Sequence, residues 1–411
     1  MLKKHMQRTV RYFGYLAALL LTALNFSGPM AQLRALPDVL GADAARERIP
    51  ALLSSGLFSS KGTVSVSSSL DENLSDGKGL ATFQLLGHLP IKSVEIKSGE
   101  EILLSPGGSA VGIAIQTQGV LVVGFGTVET PDGPKNPGAS CGLQPGDRIL
   151  AVNGVSVRNA EHLASLLPNG DTACNLSVMR ENQSLTVSLK PVSDVNGSFR
   201  LGLWVRDSTA GVGTLSFYDG ENRRFAALGH PVSDVDTHSL LTVQEGNLLS
   251  SKIVSVVPGA EGSPGELTGS FSTRSDTIGT IDSNTEYGIF GTLYEAYENG
   301  LCGQVPLAEP GEAHTGGAVL ISTVTNDGPT AYDCEILRIS YQNQASAKGM
   351  VLRITDPELI QTTGGIVQGM SGSPVLQDGR LIGVVTHVFV NDPLKGYCIY
   401  ARWMYDKMIG N

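Results

Sequence analysis

The residues best suited to do chemistry lie near the C-terminus, in Gly364-Gly365-Ile366-Val367-Gln368-Gly369-Met370-Ser371-Gly372-Ser373-Pro374. A serine hydroxyl becomes a useful nucleophile when a base takes its proton and donors hold the oxyanion that its attack creates. On a tight turn with glycine on either side, the N–H groups of Ser371 and Gly369 can face one space and serve as those donors. Gly372 leaves room for a substrate backbone to pass. Ser373 is the competing hydroxyl, but no glycine stands two positions before it. Gly262-Ser263-Pro264-Gly265 lacks the Gly-x-Ser-Gly frame and reads as a loop.

The base must be sought among seven histidines. His5 lies in a basic N-terminal segment, and His88 and His162 fall in or before a separate central module, which leaves His230, His238, His314 and His387. His230 is the strongest candidate, because the apolar run Phe225 to Leu228 delivers it at the Gly229 turn. It precedes Ser371 by 371 minus 230, or 141 residues, enough for two subdomains to share a site. A metal reading competes, since His230, Asp234, Asp236 and His238 fall on alternate positions and would share one face of an extended strand. Pro231 and the Ser/Asp content favour a turn there instead, so neither a metal nor another cofactor is expected.

These groups need a rigid β framework. Pro374 to Gln377, the dipeptide Asp378-Gly379 and Arg380 to Val385 read as strand, two-residue turn and strand, which puts Ser371 at a strand entrance. The 411 residues include 50 glycines and are 41% hydrophobic and 17% charged, too many for one ordinary core and too apolar for disorder. The texture is mainly β, in two or more domains. With 29 basic and 39 acidic residues the net charge is −10, and the absence of a basic cluster argues against nucleic acid as a partner. The cysteines Cys141, Cys174, Cys302, Cys334 and Cys398 are odd in number and form no CxxC pair.

At the N-terminus Lys3, Lys4, Arg8 and Arg11 precede an apolar run from Tyr12 to Phe26. This pattern signals export, with cleaved signal and retained membrane anchor both open, and places the remainder outside the cytoplasm. The chain divides into residues 1–27 as signal peptide or membrane anchor, 28–80 as a partly disordered spacer, 81–193 as β-strands and a peptide-binding module, and 194–411 as the domain that carries Ser371. Strands are expected at Phe83 to Leu86, Ile91 to Ile96 and Gly119 to Phe125.

Within the central module, Gly142-Leu143-Gln144-Pro145-Gly146-Asp147-Arg148-Ile149-Leu150-Ala151-Val152-Asn153-Gly154 strongly resembles the PDZ family. A Gly-Asp turn there enters a strand and an Asn-Gly turn leaves it, and Glu161 to Leu167 reads as the following helix. The resemblance implies a groove that adds a peptide as an extra strand. Gly107, Gly108, Val111, Gly112 and Ile113 are read as its carboxylate loop, because glycines free backbone N–H groups to face an anion.

Arg206 to Thr214, Ala227-Leu228-Gly229-His230 with Ser233 to Thr237, Asn284 to Ile289, and Gly364 through Pro374 followed by Thr386 to Pro393 together resemble the stage IV sporulation protein B peptidases. That resemblance implies a PDZ domain followed by a chymotrypsin-like double β-barrel. It implies a serine endopeptidase exported across the forespore membrane into the intermembrane space, which cleaves itself and a membrane-bound regulator of an intramembrane protease, leading to activation of a late mother-cell sigma factor. Carried onto this chain, the family roles make Ser371 the nucleophile, His230 the base and Asp356 the acid. Asp276 and Asp282, which lie between base and nucleophile, compete with Asp356 for the last role. Two other readings stay open: a non-catalytic secreted PDZ signalling adaptor, and metal-assisted hydrolysis at His230 to His238.

Overall fold

A computed structural model describes residues 27–36, 39–62, 78–97, 101–170, 172–272, 275–340, 342 and 344–410. The apolar run Tyr12 to Phe26, and with it the expected export helix, lies outside them. Among the described residues no helix is long and apolar enough to cross a membrane. All five cysteines stand as free thiols.

The chain forms two compact units, of which the first takes residues up to Ile102 together with Pro306–Thr315 and Ile339–Ala345. Here the span 28–80 departs from the spacer expected of it. Its described part forms helix α1 (Gly28–Ala35), strand β1 (Val39–Gly41), helix α2 (Ala42–Leu53) and strand β2 (Phe58–Gly62). These join β3 (Lys78–Leu85) and β4 (Leu89–Lys97) in a four-stranded sheet of order β1-β4-β3-β2. The cause is apolar burial: Leu33, Leu36, Leu40, Ile49, Leu52 and Phe58 share one core with Phe83, Val94 and Ile96. The elements are too short for their periodicity to stand out against the polar residues around them.

The second unit begins at Leu103. After β5 (Leu103–Pro106) comes the long strand β6 (Ala110–Phe125), then β7 (Arg148–Val152), helix α3 (Ala160–Ser165), β8 (Cys174–Arg180) and β9 (Gln183–Leu189). The far end of β6 pairs with β7, β7 with β8 and β8 with β9, giving the PDZ sheet. Its core holds Val120, Ile149, Leu163, Leu176 and Val178. The Gly-Asp turn owes its identity to charge as well as conformation. The buried Asp147 carboxylate accepts the Gln144 N–H at 2.8 Å and two Arg180 donors at 2.7 and 2.8 Å.

The near end of β6 belongs to a different body. Strand β10 (Leu203–Asp219) pairs with β6 along its length, and β11 (Arg224–Ala227), β12 (Val243–Ser250), β13 (Thr277–Thr285) and β14 (Gly288–Leu293) complete the set. The pairings run β6-β12-β13-β14-β11-β10 and return to β6, so this sheet closes on itself. Its core comprises Val111, Ile113, Leu215, Phe225, Leu248 and Ile289 among others. The expected division at 193/194 is therefore not a boundary in the fold, since β6 serves the PDZ sheet with one half and the ring with the other.

A six-stranded closed barrel follows, formed by β15 (Gly316–Ser322), β16 (Thr330–Ile339), β17 (Met350–Ile354), β18 (Pro374–Gln377), β19 (Arg380–Phe389) and β20 (Asp392–Tyr400). Helix α4 (Pro357–Thr363) leads from β17 into the turn that carries Ser371, and α5 (Ala401–Met408) ends the chain's described elements. The expected hairpin is present: Asp378 and Gly379 have φ of 51° and 75°, as a tight two-residue turn between antiparallel strands requires.

The shared strand has a thermodynamic consequence. Leu176→Ala in the PDZ core and Phe225→Ala in the ring should each cost about 2 to 5 kcal/mol. Both should move the same urea transition, followed by fluorescence of Trp204 and Trp403, rather than each moving its own.

Candidate active site

Ser371 sits on the turn between α4 and β18, and the turn is shaped by contacts that glycine alone permits. Gly372 has φ of 103°, and a Cβ there would lie 2.0 Å from the Thr214 carbonyl oxygen. That close approach lets the strand β10 grip the turn. Thr214, itself buried, donates its N–H to the Ser371 carbonyl at 3.0 Å and its hydroxyl to the Gly369 carbonyl at 2.8 Å. Gly372 N–H donates to Val385 O at 2.8 Å, tying the turn to β19. The N–H groups of Gly369 and Ser371 donate to no group among the described residues, as donors reserved for an oxyanion would.

His230 follows β11 and the Gly229 turn, and its side chain lines the same cleft as Ser371. The cleft has a volume of about 640 Å³ and is also lined by Leu228, Gln368, Thr386 and His387. Burial pushes the His230 imidazole below its ordinary pKa, opposed by the hydrogen bond between Nδ1 and the Pro231 carbonyl at 2.8 Å. The ring therefore favours the neutral form that a general base needs. The Ser371 hydroxyl donates to Thr386 O at 2.8 Å, so proton transfer to His230 requires the hydroxyl to leave this partner. His387 lies with its ring centroid 5.2 Å from that of His230 and is likewise held low, first by burial and then by the neighbouring imidazole.

The loop after His230 is held by charge. Arg206 of β10 pairs with Asp234, and its second nitrogen reaches Asp236 at 2.8 Å. Burial alone would raise the Asp234 carboxyl, but the Thr237 N–H and Arg206 hold it below the usual carboxylate range. The acidic residues of the suggested metal cluster thus form a turn and an ion pair. His238 stands on that turn with φ of 57°.

Other expected site residues fall elsewhere. Asp356 caps α4: one carboxylate oxygen accepts the Leu359 N–H at 3.0 Å and the other the Asp333 N–H at 3.3 Å. It is absent from the residues that line the cleft with His230. Asp282 pairs with Arg224, and Asp276 accepts from Ser272 N–H and the Ser275 hydroxyl. The structure therefore brings Ser371, Gly369 and His230 together without any of the three proposed acids.

The expected carboxylate loop is also displaced. Gly107 and Gly108 donate their N–H groups to Ser216 O and Leu215 O, while Val111 and Ile113 lie in the core of the ring. A Cβ at Gly107 would meet Leu215 O at 2.0 Å, and one at Gly112 would meet the Phe271 ring at 2.6 Å, so these glycines serve strand packing. The groove of the PDZ module lies instead between α3 and the segment that leads into β10. It is a space of about 500 Å³ lined by Leu163, Leu167, Leu201, Leu203 and Trp204 among others. Leu201-Gly202-Leu203, with Gly202 at φ of 68°, is the signal that sequence reading passed over. Thr214, Arg206 and Asn284 were legible only as parts of longer motifs.

The profile of the SpoIVB peptidase S55 family matches residues 197–405, and a PDZ domain profile matches residues 133–180. The probable cell division topological determinants MinJ of Lacticaseibacillus paracasei and Lacticaseibacillus casei (strain BD-II) are each 33% identical over 76 residues, 18% of this chain. The chain spans about a fifth, 19%, of the length of these curated relatives. Among solved structures, the Rv3671c protease of M. tuberculosis in its active form is 16% identical, with 49% of this chain and 75% of that one covered and a TM-score of 0.27. The PDZ domain of the SdrC-like protein Lmo2051 of Listeria monocytogenes is 16% identical, covering 22% of this chain and 90% of that one with a TM-score of 0.18. With a family profile spanning residues 197–405, about half of the chain, and with Ser371 and His230 lining one cleft, the chain belongs to the SpoIVB peptidase S55 family of serine peptidases.

Proposed function

We propose that this serine peptidase is an exported endopeptidase with a chymotrypsin-like pair of barrels, in which Ser371 attacks the substrate carbonyl and His230 takes its proton. The N–H groups of Gly369 and Ser371 hold the tetrahedral oxyanion, His230 returns the proton to the leaving amine, and water then resolves the acyl-enzyme. The observation that carries this reading is the meeting of Ser371 and His230 in one cleft, with both oxyanion donors unengaged.

The substrates in this reading are the chain itself and a membrane-bound regulatory protein of a sporulation signalling pathway, whose cleavage leads to activation of a late mother-cell sigma factor. Export into the forespore intermembrane space is supported by the basic residues before the apolar run Tyr12 to Phe26. The groove beside α3 and Leu203 is the place where a peptide strand would add, because β10 is paired there with β6 on one side only. Tethering near a membrane raises the effective concentration of any membrane-bound substrate.

Two outcomes test the chemistry. Ser371→Ala should abolish self-cleavage of the purified chain, a loss on the order of 10⁶ in kcat, while the melting temperature holds. N-terminal sequencing of the wild-type products gives the cut site; fragments that persist in the variant would remove Ser371 from the mechanism. The pH profile of kcat/KM reports the free base. Because His230 must be neutral to accept the proton and burial lowers its pKa, activity should persist below the ordinary imidazole value of about 6.5 and fall only as pH drops through the depressed value. An acid limb centred above 6.5 would contradict the assignment.

A further inference from the structure

In the reaction proposed above, the carbonyl oxygen under attack lies between the Gly369 and Ser371 N–H groups, so the side chain of that substrate residue falls beside the strand next to the turn. That strand is β19. Its pairing with β18 ends at Val384, the Val385 carbonyl accepts the Gly372 N–H, and beyond them β19 is paired with β20 alone among the described residues. A register shift between Val385 and His387 marks a bulge at Thr386, whose carbonyl receives the Ser371 hydroxyl. Val388 then stands directly opposite Gly396 of β20, and residues opposite each other in a sheet share a face. Gly396 has no side chain to fill that face. Ile366 fills it instead: a Cβ at Gly396 would lie 2.5 Å from Ile366 Cδ1. Ile366 is itself pinned, because its N–H donates to the Pro393 carbonyl at 2.7 Å and its side chain is buried. Both Ile366 and Val388 line the cleft that holds Ser371.

We propose that Ile366 and Val388 set the specificity of this site, closing the pocket for the residue before the cut bond so that it takes a small aliphatic side chain, of alanine or valine size. The proposal rests on the reading of Ser371 as nucleophile and Gly369 as oxyanion donor, and adds to it the class of bond cut. With Ile366 laid on Gly396 and Val388 opposite that glycine, the depth that a leucine, phenylalanine or arginine side chain needs is already occupied. One wall is tied to the start of β20 by a backbone hydrogen bond and the other belongs to a barrel strand, so neither gives way without strain. Charge is excluded on separate grounds. Asp234 is the one Asp, Glu, Lys or Arg side chain that lines the cleft among the described residues, and Arg206 already holds it. A charged side chain before the cut would therefore be buried without a partner.

The test uses the purified full chain on a mixed peptide library, with cuts located by mass spectrometry and only those lost in Ser371→Ala counted. After correction for library abundance, alanine and valine should precede the cut about tenfold more often than leucine, phenylalanine, lysine or arginine, the discrimination that a methylene gives in an apolar pocket. Ile366→Ala and Val388→Gly should each raise kcat/KM for a leucine peptide relative to its valine counterpart by about tenfold. That ratio does not depend on how much of the enzyme is folded. Val388, which is only half-buried, keeps this arm open even if Ile366→Ala does not fold. Ser371-dependent cuts that follow leucine, phenylalanine or a charged residue as often as valine overturn the proposal and leave the serine peptidase standing. So does a leucine-to-valine ratio that neither substitution moves. A library without any Ser371-dependent cut overturns the nucleophile assignment itself, and the proposal with it.

Discussion

Strand β10 makes the contacts on which the site depends, and it makes them from within one continuous run of 17 residues. At Arg206 it binds Asp234 and Asp236 and so fixes the loop that follows His230. At Thr214 it holds the carbonyls of Gly369 and Ser371, which sets the turn that presents Ser371. A charged pair with a buried carboxylate and a doubly bonded threonine are both costly to break, because each would leave a buried polar group without a partner. The His230 loop and the Ser371 turn are thus held by one element of the first ring, although Ser371 belongs to the second barrel.

The same strand begins at the PDZ groove, where Leu203 and Trp204 line the space beside α3. From there it runs into the ring core at Leu215 without a break in secondary structure. Strand β6 makes the matching passage in the opposite direction. Two long strands crossing from one sheet into another transmit position far better than a flexible linker would. The PDZ module and the ring that carries His230 are therefore parts of one framework.

Much of this site was legible in sequence wherever function is written in local backbone geometry. The tight turn at Ser371 could be read because it needs glycines at fixed offsets, and the hairpin Asp378-Gly379 because two positive φ angles favour those residue types. The PDZ turn was legible for the same reason. Asp356 misled because an aspartate before proline looks alike whether it orients an imidazole or caps a helix; the distinction lies in which N–H groups meet it after folding. Gly107 and Gly112 misled in a similar way, since glycines that admit a neighbouring chain resemble glycines that admit an anion. The elements from α1 to β2 escaped notice because their burial depends on β3 and β4, well removed in sequence.

The most direct measurement of the central claim, that Nε2 of His230 and the hydroxyl of Ser371 serve one reaction, is mass mapping after treatment with a peptidyl chloromethyl ketone. Such a reagent is attacked at its carbonyl by the nucleophile and alkylates the imidazole held beside it. Alkylation is expected at His230 in the wild-type chain and should be lost in Ser371→Ala. Modification of His387 in place of His230, or alkylation of His230 that is indifferent to Ser371, would contradict it.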